Sequence, residues 1–326
     1  MEHGYFIVSL DLELMWGMKD KKTIATYGDN VLGARKAIPQ ILKIFSEKGI
    51  HATWAIVGLL FSAKKSDTME MLPARIPVYH QPKLSSYNYL EQLGDDEDTD
   101  QYHYGDSLIR LISRYKHQEI ASHTFSHYYC LEKGQTKEDF ASDILAAKKA
   151  AERYNVEIKS LVLPRNQINK KYLDVLIENK IFAYRGTEEN WLYQATKSND
   201  PNFIRRLFKL LDTYFNLSGY HCYTLEEAAV RPKLLNLRSS RFLRPYIKTF
   251  SLCEKLKIQR IKAQMKHAAK HHLLFHLWWH PHNFGLNTEK NMENLQEILD
   301  YYLYLHQKYG FQSANMAEIA EIYLKK

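Results

Sequence analysis

Short apolar runs alternate with amphipathic stretches along this chain, the pattern of strands followed by helices. Tyr5 to Asp11 is predicted as a first strand, and residues 30–48 as a helix with Ile38, Ile41, Leu42 and Phe45 on one face. Further strands are predicted at His51–Val57, Glu119–Ser122 and Ser160–Leu163, with helices near 137–153 and 170–179. Ile181–Tyr184, His272–Trp279 and Gly310–Ser313 complete the set, beside helices near 288–307 and 315–324. About seven strands separated by helices are too many for a small domain. A distorted (β/α) barrel of parallel strands is the economical closure, and it puts the chemistry at the strands' C-terminal ends.

Two stretches interrupt the alternation. Residues 64–104 hold three prolines and the acidic run Asp95-Asp96-Glu97-Asp98-Thr99-Asp100, which reads as a long solvated loop insertion. Residues 196–270 read as a second, mostly helical insertion. With no internal repeat and no linker composition, residues 1–326 read as one domain with two excursions.

Charge changes this picture in one place. The chain has 45 Lys+Arg against 37 Asp+Glu, a net of +8, but residues 231–272 alone hold twelve Lys+Arg and one acid, Glu254. Leu234, Leu235, Leu237, Phe242, Leu243, Ile247, Phe250, Leu252, Leu256, Ile258 and Ile261 are interleaved with them, making a basic amphipathic segment. No nucleic-acid motif accompanies it, so peripheral contact with an anionic membrane, a pyrophosphate-linked substrate or simple packing on the barrel are the readings left. The three cysteines, Cys130, Cys222 and Cys253, are widely spaced and point to a reducing compartment. No secretory signal precedes the first strand and no apolar run approaches the ~20 residues of a membrane span. The expectation is a cytoplasmic protein, with 231–272 as a candidate contact with the inner membrane face.

Four segments carry candidate chemistry. Asp11 and Glu13, two apart at the end of the first strand, share a face, where two carboxylates call for a cation or a shared proton. His123 and His127 in His-Thr-Phe-Ser-His become i, i+4 neighbours if a helical turn follows the strand, and both imidazoles then reach one ion. Arg165, in Pro164-Arg165-Asn166, follows a buried strand and has the fork to pin a carboxylate. In the strand ending Trp278-Trp279-His280, alternation puts His276, Trp278 and His280 on one face, and a strand-end histidine suits a general acid.

In this order, the four segments resemble the polysaccharide deacetylase family with NodB homology (carbohydrate esterase family four). That family closes its first strand with acids, then has H-[S/T]-x-x-H, an arginine motif and a late strand ending in histidine. Its usual adjacent aspartates are here separated by Leu12, and its further acid-and-tryptophan motif falls on Arg185, Glu189 and Trp191. The resemblance implies a NodB-like barrel that removes an N-acetyl group from a sugar using a divalent ion, zinc first and cobalt, nickel or iron as alternatives. It implies Glu13, His123 and His127 as metal ligands, Asp11 as general base oriented by Arg165, and His280 as general acid, with His282 competing for that role. Trp191, Trp279 and His282 are taken as substrate-binding residues. The implied substrate is a cytoplasmic precursor of surface polysaccharide. A non-sugar cyclic amide, or a non-catalytic membrane-associated role, are the alternatives.

Overall fold

Along Tyr5–Leu12 (β1) every second residue is large and apolar, and Phe6, Val8, Leu10 and Leu12 pack outward beneath helices. Ile7, Ser9 and Asp11 point the other way, into the interior of the sheet. This parity recurs around the barrel and decides which residues meet. In the computed structural model, residues 2–194 and 203–326 are described. The remaining strands are β2 (Ala52–Ile56), β3 (Gln118–Ser122), β4 (Ser160–Val162), β5 (Ala183–Arg185), β6 (Ala229–Arg231), β7 (Leu234–Asn236), β8 (Arg241–Phe242), β9 (Leu274–Trp279) and β10 (Gln312–Ser313).

Their order is β6-β7-β5-β4-β3-β2-β1-β9-β8, parallel except for the β6–β7 pair. β7 and β8 are two parts of one run. Leu235, Leu237 and Ser239 donate their N–H groups to Phe182, Tyr184 and Gly186 beside β5, whereas Ser240 and Leu243 donate to His276 and Trp278 of β9. One segment thus bridges the two ends of the sheet and closes a distorted parallel barrel. It lies inside the stretch expected to be mostly helical, where Leu234-Leu235-Asn236 is too short a run to announce a strand. Conversely, the strand expected at 310–313 forms as β10 but pairs only with Tyr5 and Phe6 at the start of β1, outside the closed ring.

The helices are α1 (Ile24–Lys48), α2 (Lys65–Glu70), α3 (Asp106–Ile112), α4 (Lys137–Glu152), α5 (Leu173–Glu178), α6 (Phe203–Asp212), α7 (Leu225–Ala228), α8 (Glu254–His271), α9 (Thr288–Tyr309) and α10 (Met316–Leu324). The long ones bury one face each against the sheet. α10 instead plugs the N-terminal end of the barrel, where Met316 and Ile319 pack on Ile7, Ala55 and Val162. Its first N–H groups are satisfied by Thr53 Oγ1 and Glu119 Oε2 at 2.9 and 3.1 Å.

The two excursions are more structured than their composition suggests. In 64–104 the acidic run is tied down: Glu97 pairs with Arg35 at 2.6 Å, and buried Asp100 accepts from Gly94 N, Tyr102 N and His103 N. In 231–272, Leu234, Leu235, Leu237, Leu243, Ile258 and Ile261 are buried, and α8 packs along α9. Most of that amphipathic pattern is therefore spent on the core, and the apolar residues it leaves exposed are Ile247, Phe250, Leu252 and Leu256. Residues 195–202, at the start of the second excursion, lie outside the described residues.

Candidate active site

The strand parity carries Asp11, and Glu13 just beyond the end of β1, to the C-terminal mouth of the barrel, both buried. His123 and His127 follow β3, and their Nε2 atoms stand 3.3 and 2.9 Å from Glu13 Oε2. No helical turn makes this pair. Thr124 and His127 have left-handed backbones, φ 62° and 56°, and Asp143 of α4 binds the loop between them. Its carboxylate accepts from Phe125 N at 2.6 Å, Ser126 N at 3.0 Å and Ser126 Oγ at 2.5 Å. The loop also rests on Gly58, where a Cβ would come within 2.7 Å of Phe125 Cα.

Each imidazole is oriented by its other nitrogen. His123 Nδ1 donates to Val162 O at 2.9 Å, which leaves Nε2 as the free lone pair facing Glu13. His127 Nδ1 meets Tyr129 Oη at 3.0 Å. Burial drives His127 down to about 3, so it is neutral, as a metal ligand has to be. Burial pushes Glu13 upward, but the neighbouring His280 and the close His123 and His127 imidazoles outweigh it and hold the carboxyl well below its ordinary range. Two imidazole nitrogens and one carboxylate oxygen, all buried and within 4.8 Å of one another, form a donor set that fits a divalent cation with open positions. Gly17 closes in from below: a Cβ there would sit 2.0 Å from the Glu13 carboxyl carbon.

Asp11 belongs to a different set. Arg185, the last residue of β5, reaches across the barrel and grips both its oxygens at 2.7 Å, while also donating to Ser9 Oγ at 2.9 Å and Asn166 Oδ1 at 3.1 Å. The guanidinium lies 4.0 Å from the ring centre of Trp278. Burial pushes the Asp11 carboxyl up, and the Arg185 charge and hydrogen bonds more than reverse this, so it is ionised. Behind it, fully buried His276 binds Ser9 Oγ through Nε2 at 2.8 Å and Leu237 O through Nδ1 at 3.0 Å. Across the mouth, His280 Nε2 stands 3.7 Å from Asp11 Oδ2 and 3.7 Å from Glu13 Oε1. Its Nδ1 is held by Asn283 Oδ1 at 3.2 Å, and the side chain keeps 22% of its surface open.

The polysaccharide deacetylase family model matches residues 17–182, half of the chain. The chain belongs to the polysaccharide deacetylase family. The matched residues include His123 and His127, while Asp11, Glu13, Arg185 and His280 lie outside them and are joined to the site by the fold. Among solved structures, a protein assigned to the polysaccharide deacetylases from Mycobacterium smegmatis superposes with a TM-score of 0.61 at 15% identity, covering 98% of this chain and 90% of that one. One from Pseudomonas aeruginosa PAO1 gives 0.54 at 12%, covering 99% and 90%. An allantoinase also gives 0.54, at 11%, covering 99% and 90%. At these identities the likeness is one of fold. No curated protein matches the sequence significantly.

Of the other residues expected at the site, Arg165 and Trp279 lie elsewhere. Arg165 does not touch Asp11. It has a left-handed backbone, φ 55°, that turns it to Asp20 Oδ2 at 2.5 Å and over the Tyr129 ring at 4.1 Å. Trp279 is fully buried outside the barrel, against Phe45 and Phe284, because its parity is opposite to that of Trp278. His282 is buried behind His280, stacked on it and edge-on to Tyr27, with Nε2 3.9 Å from Glu13 Oε1. Trp191 is exposed on the turn after β5. Three residues were not singled out for these contacts: Arg185, Asp143 and Tyr129. Parity marks Arg185, two beyond inward-facing Ala183. An aspartate on the apolar face of α4, beside Phe140, Ile144 and Ala147, marks Asp143.

Proposed function

We propose that this protein is a metal-dependent N-deacetylase of an N-acetylated sugar. The observation that carries the reading is the convergence of His123, His127 and Glu13 on one point, with the Arg185-held Asp11 and partly exposed His280 beside it. Glu13 Oε2 and the two Nε2 atoms would hold the ion, zinc first by donor type and cobalt, nickel or iron as alternatives. When bound, such an ion polarises the acetyl carbonyl and stabilises the charge that develops on it. Asp11, kept ionised and aimed by Arg185, takes the proton of the attacking water as general base. His280 reaches the same space from the opposite side through Nε2 and gives its proton to the departing amine. His282, nine-tenths or more buried, supports His280 by stacking.

Trp191 offers an exposed indole face to a sugar ring, and Trp278 lines the interior behind Asp11. All three cysteines are free thiols, in keeping with a reducing compartment and a precursor sugar met before export. The test is acetate release from N-acetylated sugars, with chelator and with zinc restored. Activity that tracks metal content and disappears in His127→Ala supports the reading, and turnover that survives both treatments sinks it. Release of a ring-opened product from a cyclic amide, with no acetate from any sugar, would move the substrate to the non-sugar alternative while keeping the same residues. A metal-loaded protein that turns over neither class would be a non-catalytic relative.

A further inference from the structure

α6 is built inside out. A surface helix normally turns its apolar stripe to the core and its charges to water. Here Phe203, Ile204, Leu207, Phe208 and Leu211, spaced to share one face, are all exposed, Phe203 to 74%. The polar side faces the protein instead. Arg205 donates from Nε to Leu192 O at 2.7 Å, Lys209 sits over the Tyr193 ring at 5.6 Å, and Asp212 is buried against Arg241 at 2.8 Å and Tyr193 Oη at 2.5 Å. The exposed face continues through Phe215 and Leu217.

A second exposed stretch adjoins it. Ile247, Phe250, Leu252 and Leu256 project from the chain that enters α8, Leu252 to 96%, and Arg244 Nε ties this region to Thr213 Oγ1 at 2.8 Å. The cations alongside are exposed: Arg206 on α6, and Lys248 and Lys255 on the second stretch. The acids of the two stretches are both engaged, Asp212 by Arg241 and Glu254 by Lys257 at 2.6 Å. Along these two stretches, among the described residues, the exposed charges are cationic. The apolar surface also lies where β5 ends at the barrel mouth: its inner side rests on Leu192 and Tyr193, in the turn that follows Arg185 and Trp191.

We infer that α6 and the 247–256 stretch form a membrane-docking face that inserts Phe203, Leu207, Phe208 and Leu252 into an anionic lipid surface. A large apolar face flanked by Lys and Arg is what an interfacial helix requires, and exposed cations beside it favour anionic headgroups. Docking there would bring the barrel mouth to the bilayer and present it to a sugar carried on a lipid. That consequence rests on the deacetylase reading, but the docking itself does not.

Sedimentation of the full chain with vesicles tests it, using phosphatidylcholine alone against phosphatidylcholine mixed with phosphatidylglycerol. About tenfold tighter partitioning onto the anionic vesicles is expected, weakening as salt rises. Phe203→Ser/Leu207→Ser/Phe208→Ser should abolish it, and Arg206→Glu/Lys248→Glu should remove the anionic preference. These residues are exposed, so melting temperature and metal content should stay at the wild-type value in both variants. Equal partitioning onto both vesicles, or anionic binding that neither variant alters, overturns the proposal. So does a dimer in sedimentation equilibrium that the triple-serine variant dissolves, with no vesicle binding, since the face would then join two copies of the chain. The readout needs no turnover, so its failure leaves the deacetylase reading standing.

Discussion

The two terminal guanidinium nitrogens of Arg185 each meet one carboxylate oxygen of Asp11 at 2.7 Å, inside a barrel where both side chains are almost wholly buried. This fork fixes the direction of the carboxylate and its charge together. Replacing Arg185 with Met leaves an unpaired buried anion, which should destabilise the fold by about 3 kcal/mol. It should also lower turnover by about 100-fold, the scale of a general base. The sign with pH follows from Asp11. Its carboxyl is depressed in the fold, so the pair's stabilisation is present above the ordinary aspartate range and is lost as pH falls through the depressed value. Without Arg185, the upward push of burial loses its main opponent, and the acid limb of kcat/KM should move to higher pH.

Arg165→Ala provides the contrast. Its partners are Asp20 and the face of Tyr129, whose hydroxyl meets His127 Nδ1. The acid limb of the pH profile should stay where it is, while metal affinity falls by about tenfold through the loosened His127. Equilibrium competition with a chromophoric chelator measures this. A shifted acid limb would mean that Arg165, not Arg185, sets the ionisation of Asp11.

Asp143 holds the histidine loop without facing its ion. Asp143→Ala strands the N–H groups of Phe125 and Ser126 in the interior, at a cost of about 2 kcal/mol or more, and should weaken metal binding along with stability. Burial pushes this carboxyl up to about 6, against the hydrogen bonds from Ser126 and Phe125. A raised acid contributes stability that is complete below the unfolded aspartate value, about 4, and is lost as pH rises through about 6. The melting temperature of wild type relative to Asp143→Asn should therefore decline across that window.

His280 and His282 stack on one another but differ in access. His280→Ala should lower kcat by about 100-fold with metal content unchanged. His282→Ala removes a buried ring from between His280 and Tyr27 and should act mainly on stability. Parallel measurement of kcat, bound zinc and melting temperature separates the two. An unchanged kcat in His280→Ala would transfer the proton-donating role elsewhere.

Period-two alternation was legible in the sequence wherever a strand was long enough to show it. It put Asp11 with Glu13, and His276 with Trp278 and His280, because successive side chains on a strand cannot share a face. The ordered acids and the strand-end histidine were legible for the same reason, whereas His123 and His127 were legible by their spacing and are brought together by left-handed loop residues and not by the helical turn expected for them. What sequence could not decide were contacts made across the barrel. Arg165 follows buried β4 and Arg185 ends buried β5, and only the closure through 234–242 sets Arg185 opposite Asp11, while one left-handed residue turns Arg165 away. The basic stretch 231–272 has the same composition whether its leucines face lipid or core. Tertiary packing buried most of them and left exposed α6, whose apolar stripe reads in sequence like that of any helix packed on a sheet. Local pattern fixes which residues share a face, and only the assembled molecule fixes what that face meets.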